Sequence, residues 1–348
     1  MNNIQAKSDS RFVSVRAPAR LHLGFLDMHG GFGRKFGSLG LSISDIETSL
    51  IAEYADDINI IGPSSERASN YAEQILSHFG INGGVKMVIK SAIPEHTGLG
   101  SGTQLSLAVA TAITRLYGLT EQPANLAAIL HRGARSGIGI GTFMHGGFIV
   151  DAGRGTNTEV PPTISHLSFP DHWRIILIFD DGTEGINGVP ERRAFNTLPP
   201  MEDAKIGLLC RLTLMQVLPS ICENDCSQFG SAITQIQNVI GDYFAQAQGG
   251  RYTSPFLEPI LKELEQDGAT GFGQSSWGPT GFAFFPNETS AFLALKMLRK
   301  NWQSESRLRF TMVKACNGEA MVSISKTRPA MEDKNIKIEK SITKSGKL

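Results

Sequence analysis

The chain has 348 residues, 41% of them hydrophobic and 19% charged, so it can bury a sizeable core and has the length of about two domains. Lys+Arg and Asp+Glu balance at 33 each, which argues against nucleic-acid or membrane-surface binding driven by overall charge. No membrane-spanning run is expected, and the opening MNNIQAKSDSRF lacks the apolar stretch of a signal peptide, so the cytoplasm is the expected compartment. Cys210, Cys222, Cys226 and Cys316 lack zinc-ligand spacing and read as buried free thiols.

In chain order, residues 12–16 alternate as a strand does. A glycine-rich segment follows, with Gly24, Gly30, Gly31, Gly33, Gly37 and Gly40, and then two β-like stretches within 41–61. Over 65–80, Ala68, Tyr71, Ala72, Ile75, Leu76 and Phe79 share one helical face. VKMVIKSAIP (85–94) reads as a strand stopped by Pro94. Residues 104–117 are apolar almost all round, as in a buried helix, with Gly118 as the stop. A helix over 123–132 leads into a glycine-rich turn, SGIGIGTF (136–143). GGFIV (146–150) and RIILIF (174–179) read as buried strands. Helices joined by loops begin near 186, and a third glycine-rich turn at Gly271 runs into a strand. The expected division is 1–185, then 186–326, then a lysine-rich, flexible tail over 327–348.

Gly98-Leu99-Gly100-Ser101-Gly102-Thr103 sits between a strand and a buried helix. Glycines permit a tight turn and close approach of a ligand, while the first helical turn offers unpaired N–H groups and the positive end of the dipole. Both favour a phosphate. An ordinary capped helix would show the same letters. No Walker A pattern occurs, so the chain is not a P-loop NTPase.

PEHTGLGSGTQLSLAVA resembles the second motif of the GHMP superfamily, P-x3-G-L-G-S-S-x-A. APARLHLGFLD (17–27) is similar to its first motif and GFGQSSWGPTGFAFF to its third. The resemblance runs over 13–326 and implies an α+β GHMP kinase fold: an N-terminal domain like ribosomal protein S5 domain 2, and a C-terminal α+β sandwich domain. Three departures stand at chemical positions. Gly139 occupies the place of the kinase Asp, Gly102 that of the second serine, and Gly24-Phe25-Leu26-Asp27 that of the usual G-E-H. A general base is worth about 10²–10⁴ in rate, so ordinary phosphoryl transfer to an alcohol fits poorly.

RLHLGFLDMHGGFGRKFGSLGLSI, HTGLGSGTQLSLAVA, RSGIGIGTFMHGGFIVDAGR and GQSSWGPTGFA together resemble the β-ribofuranosylaminobenzene 5′-phosphate synthase branch of that superfamily. That resemblance implies transfer from phosphoribosyl pyrophosphate to 4-aminobenzoate, or to 4-hydroxybenzoate in some members. Carbon dioxide and pyrophosphate are released, in methanopterin biosynthesis. It further implies Mg²⁺ with the pyrophosphate, small-molecule substrates only, and a homodimer. Two other readings stay open: an ATP-dependent small-molecule kinase, and a non-catalytic sugar-phosphate binder.

Within the matched blocks, Gly98, Gly100, Ser101, Gly102, Thr103 and Gln104 are expected to hold a phosphate group. Arg20, Arg34, Lys35 and Arg135 are the candidate cations, since guanidinium groups offer paired donors. Asp27, Arg34 and His22 are the catalytic candidates. Asp27 could bind magnesium, stabilise charge on the ribose, bond the amine or simply cap a loop. His22 shares a strand face with Arg20 and reads as an acid or hydrogen-bond donor, or as a structural histidine. Ser136 lies in the third matched block. Gln274, Ser275, Ser276 and Trp277 crowd the last glycine turn, where Trp277 could stack on an aromatic acid. His96 and His145 rank lower. Asp180-Asp181 resembles the acidic loop of ordinary phosphoribosyltransferases but is better read as a strand end, and the metal ligands are not identified.

Overall fold

A computed structural model describes residues 11–328. The tail expectation lies outside the described residues from 329 onward. A seven-stranded sheet is built from β1 (Phe12–Asp27), β2 (Phe36–Ala55), β3 (Ile58–Ile61), β4 (Gly84–Ser91), β5 (Phe148–Asp151), β6 (Thr163–Leu167) and β11 (Met321–Ser325). Its central path runs β11-β1-β2-β4-β3, with β5 on β2 and β6 on β5. The β3–β4 pair is parallel and the others antiparallel. The second sheet, ordered β10-β7-β9-β8, joins β7 (Arg174–Asp180), β8 (Gly271–Gln274), β9 (Gly281–Phe285) and β10 (Leu308–Val313). Residues 174–180 thus pair in the second sheet although they precede the expected division at 185, and 321–325 return to the first.

Helices α1 (Ser65–His78), α2 (Ser101–Leu116), α3 (Pro123–Ile129) and α4 (Ile138–His145) accompany the first sheet. Val13, Val15 and Ala17 of β1 pack beneath α1 and α2, in a core with Ala72, Ile75, Leu107 and Ile113. Farther along β1, Ala19, Leu21, Leu23 and Phe25 enter a different core, shared with Ile175 and Leu177 of β7 and Phe282 and Phe284 of β9. One long strand therefore ties the two sheets together. Helix α8 (Cys226–Gln248) adds Phe229, Ile233 and Ile236 to that joint core. On the other face of the second sheet lie α9 (Leu257–Gln266) and α10 (Glu288–Asn301). Between β7 and α8 run α5 (Gly188–Thr197), α6 (Asp203–Leu212) and α7 (Leu218–Glu223).

Three local expectations change. The glycine-rich 136–143 is mostly the helix α4 rather than a turn. Its glycines serve close packing: a Cβ on Gly139 would lie 2.9 Å from Thr103 Cγ2, and one on Gly141 2.8 Å from Ile149 Cγ2. The helical run Asp203–Glu223 is long and apolar enough by length and composition to cross a membrane, where the sequence reading finds no such run. Its Leu209, Leu212, Val217 and Ile221 are buried in the joint core, as in a core helix. All four cysteines are free, but Cys210 and Cys222 are exposed and only Cys226 is buried, because the first two fall on outer helix faces.

Candidate active site

The Gly98 loop turns on two left-handed residues, Gly98 (φ +79°) and Gly100 (φ +87°), and enters α2 with Gly100 as its cap. That cap makes no side-chain hydrogen bond, so no side chain at the cap occupies the first-turn amides, which suits them to an anion. Burial begins immediately behind them, with Gln104, Leu105 and Ser106 all inside.

Three guanidinium groups converge on this loop. Arg20, from β1, donates through Nη1 to Gly98 O, and its backbone N–H reaches Leu99 O at 3.1 Å. A Cβ on Gly100 would meet the Arg20 side chain at 3.2 Å. Arg20 Nε is buried without a partner. Burial lowers the Arg20 pKa to about 10, opposed by the nearby Glu191 carboxylate, so the group stays cationic at neutral pH. On the far side, a Cβ on Gly102 would lie 3.0 Å from Arg67 Nη2 and 3.4 Å from Arg132 Nη1. A serine in place of Gly102 would therefore crowd two arginines. Arg67 is held by Glu95 at 2.6 Å, which also accepts from Ser64, and Arg132 donates to Tyr71 Oη. Neither Arg67 nor Arg132 falls in a recognisable motif; α1 and the turn that follows α3 carry them in.

The third glycine turn locks onto the same loop. Ser275 Oγ donates to Gly98 O at 2.8 Å and accepts from His22 N at 3.0 Å. Ser276 N donates to His22 O at 3.2 Å. A Cβ on Gly98 would sit 2.2 Å from Ser275 O, so only glycine fits there. Gln274 is tied through its backbone N–H to Gln237 Oε1 at 2.8 Å and through Oε1 to Thr253 N at 2.7 Å. Trp277 is buried, with ring centroids 4.4 Å from Phe244 and 5.5 Å from Phe195. His22 is buried, its ring 4.6 Å from Phe25 and its Nε2 unpartnered. Burial, reinforced by Arg20, lowers its pKa to about 3, so it is neutral. With no charge to give up at neutral pH, the ring fits the hydrogen-bonding and structural readings of His22 better than the acid reading.

Several other candidates have local partners. Thr103 packs against Gly139, where the kinase Asp would stand. Gln104 is wholly buried and donates to Gly139 O at 2.7 Å, so it joins α2 to α4 rather than facing the loop. Asp27 Oδ1 accepts from His29 N and Gly30 N at 2.7 Å each, the loop-capping arrangement. Arg34 donates to Ala152 O at 2.9 Å, Gly153 O at 3.2 Å and Thr158 Oγ1 at 3.4 Å, and thereby holds the loop after β5. Lys35 bridges Arg154 through its backbone and lines an open groove with it. Ser136 bonds Ser38 Oγ at 2.6 Å above the buried Asp151. Asp151 accepts from Ser38 Oγ and from the N–H groups of Gly137 and Gly153 at 2.8 Å each; burial nevertheless raises its pKa. Arg135 pairs with Glu191 at 2.7 Å and lies 4.5 Å over the Phe195 ring, both on α5. His96 accepts from Gly185 N, and His145 lies 5.3 Å from His166. Asp180 is buried in a bidentate pair with Arg307, and Asp181 pairs with Arg309, so both join β7 to β10. Glu191 and Phe195 lie outside the matched blocks, whereas Asp151 lies within the third of them and could have been singled out there.

Two sheets joined by one long strand, with a glycine loop opening a buried helix, define the GHMP kinase fold. The GHMP kinases N terminal domain matches residues 67–147 and the GHMP kinases C terminal domain matches 217–304. Among solved structures, homoserine kinase from Cytophaga hutchinsonii superposes with a TM-score of 0.61 at 18% identity, covering 92% of this chain and 99% of that one. Mevalonate diphosphate decarboxylase from Staphylococcus aureus gives 0.64 at 13% identity, covering 90% and 98%. Sequence relatives are more specific. A β-ribofuranosylphenol 5′-phosphate synthase from Methanothermobacter thermautotrophicus is 31% identical over 291 residues, 77% of this chain and 87% of the relative. One from Methanocaldococcus jannaschii is 32% identical over 298 residues, 78% and 88%. The chain belongs to the β-ribofuranosylphenol 5′-phosphate synthase family, and is an enzyme of the pentosyltransferase type.

Proposed function

We propose that the enzyme transfers the phosphoribosyl group of phosphoribosyl pyrophosphate to 4-hydroxybenzoate or 4-aminobenzoate, with release of carbon dioxide and pyrophosphate, as a step in methanopterin biosynthesis. One observation carries the reading: three arginines crowd the anion-binding end of α2, while the kinase base position is a glycine packed on Thr103. The relatives are named for a phenol product, which favours 4-hydroxybenzoate.

In this scheme the first-turn amides of α2 with Arg20, Arg67 and Arg132 bind the pyrophosphate and stabilise the charge it gains as the C1′–O bond breaks. The buried joint core around Leu21, Leu99 and Trp277 limits the access of water to the ribosyl cation. Among the described residues no cluster of three acidic, histidine or cysteine groups forms a resident metal cage. Glu95 and Glu191 are each already paired with an arginine. In the proposed reaction magnesium would accompany the pyrophosphate as its counter-ion.

The test is an assay with phosphoribosyl pyrophosphate and carboxyl-labelled 4-hydroxybenzoate or 4-aminobenzoate, following labelled carbon dioxide and pyrophosphate. Equal release of both supports the reading. ATP consumption with an alcohol acceptor, and no carbon dioxide, would replace it with the kinase reading.

A further inference from the structure

An aromatic acid that exchanges its carboxyl group for a sugar is attacked at the carbon para to its hydroxyl or amino group. Electrons pushed from that substituent drive the step, so the group that holds the substituent's proton matters. Against the third glycine turn lies a cavity of about 30 Å³, with His22, Phe25, Phe244, Gln274 and Trp277 among its walls. The amide groups on the wall are engaged: Gln237 bonds Leu23 O and Gln274 N, and Gln274 bonds Thr253 N. His22 Nε2 is different, since it is buried on a residue only 4% exposed and has no partner. In a neutral imidazole one ring nitrogen donates and the other accepts, and the tautomer with its proton on Nδ1 leaves the unpartnered Nε2 as an acceptor. The cavity has room for one or two water-sized groups; a benzene ring needs about 150 Å³. A hydroxyl or amino group fits and a ring does not.

We propose that this cavity is the subsite for the para substituent of the aromatic acceptor, with His22 Nε2 accepting the hydrogen bond of the substrate's hydroxyl or amino group. The proposal rests on the phosphoribosyl-transfer reading. The arene ring lies at the mouth against Phe25 and Trp277. Its carboxyl-bearing carbon forms the bond to C1′, and the C1′–O electron pair departs with pyrophosphate. Positive charge then reaches the para oxygen or nitrogen, whose proton is shared with Nε2. The C–CO₂⁻ bond breaks, its electron pair restores the aromatic ring, carbon dioxide leaves and the proton stays on the substituent. A histidine held neutral by burial and by Arg20 does not take the proton from the resting phenol, so its help is confined to the charged intermediate.

The experiment compares calorimetric affinities of 4-hydroxybenzoate and benzoate for the wild-type protein with pyrophosphate present. It is repeated for His22→Leu and His22→Gln. Wild type should prefer 4-hydroxybenzoate by up to about tenfold, the scale of one net hydrogen bond. His22→Leu should abolish the preference, and His22→Gln, which restores an acceptor oxygen, should recover part of it. On wild type alone, ¹⁵N NMR should show the His22 Nε2 resonance shifting with 4-hydroxybenzoate but not with benzoate. An unmoved resonance, or a preference that survives His22→Leu, overturns the subsite even where the transfer assay succeeds. A His22-dependent preference without carbon dioxide release keeps the subsite and removes the transfer reading.

Discussion

Gly98→Ala tests whether the anion loop and the third glycine turn form one unit. The left-handed backbone (φ +79°) costs about 1–2 kcal/mol for any residue with a Cβ. The new methyl group would lie 2.2 Å from Ser275 O and 3.2 Å from Gly278 O, both backbone atoms. Relief to ordinary contact requires the two loops to part by about 1 Å. The 2.8 Å bond from Ser275 Oγ to Gly98 O would then stretch beyond hydrogen-bonding range, and the bond from Arg20 to the same carbonyl would weaken with it. A neutral hydrogen bond contributes about 1 kcal/mol and a charged one about 1.5–3 kcal/mol. The expected destabilisation is about 4 kcal/mol or more, with loss of pyrophosphate binding. Gly118→Ala is the control: it shares the backbone geometry (φ +77°) and has nothing within 4 Å of the added methyl group, so only the backbone part, about 1 kcal/mol, applies. Urea unfolding followed by tryptophan fluorescence, with calorimetry for pyrophosphate, reads both variants. Equal destabilisation of the two variants, with pyrophosphate binding intact in Gly98→Ala, would refute the locked-loop account.

Arg20→Met should weaken pyrophosphate binding by about tenfold or more, the scale of a charge-assisted bond; unchanged calorimetric affinity would remove Arg20 from the anion site. Glu191→Gln removes the negative charge that faces Arg20 and Arg135, so pyrophosphate should bind a few-fold tighter; weaker binding would mean that Glu191 is needed to hold Arg135. Asp151→Asn turns an amide donor toward hydroxyl and N–H donors and should destabilise the protein by about 2 kcal/mol or more in urea. His22 has a native pKa of about 3, below its ordinary 6.5, so the unfolded chain binds a proton that the native state refuses. That contribution to stability is present above pH 6.5 and is lost as the pH falls toward 3. Relative to His22→Gln, the wild type should lose about 1.5 kcal/mol between pH 6.5 and 5, and a constant difference would show that His22 protonates freely in the folded state.

What could be read from the chain alone follows from which effects are local. The glycine loop, the buried helix after it and the third glycine turn announce themselves because backbone geometry restricts the residue type at each position. Arg67 and Arg132 do not, since an arginine on or just beyond a helix end is usually a solvated charge and only the packing of α1 and α3 beside α2 brings them to Gly102. Asp27 and Arg34 attracted attention by lying in a matched block, yet their polar atoms bond nearby backbone and shape the loops at 27–30 and 152–158. The glycines of 136–143 suggested a turn, but two of them mark helix-to-neighbour contact instead. Long strands are harder to see, since β1 and β2 continue through glycines that elsewhere mark breaks.

The vacancy at Gly139 is a closed feature of the packing. Gln104 holds Gly139 O at 2.7 Å and Thr103 fills the space where a side chain would begin, so an aspartate there would push α4 away from α2. For phosphoryl transfer to an alcohol that closure is severe, because the attacking oxygen carries a proton that a base must remove. The ipso carbon of an aromatic acid carries no proton. It bears a carboxylate, which departs as carbon dioxide and leaves its electron pair behind. In the proposed reaction the demand that remains is stabilisation of the leaving pyrophosphate, which the end of α2, where Arg20, Arg67 and Arg132 meet the loop, is suited to meet. Under the proposed transfer, loss of the base and crowding of guanidinium groups around Gly102 would both follow from one change of nucleophile, from oxygen to carbon, on an otherwise retained fold.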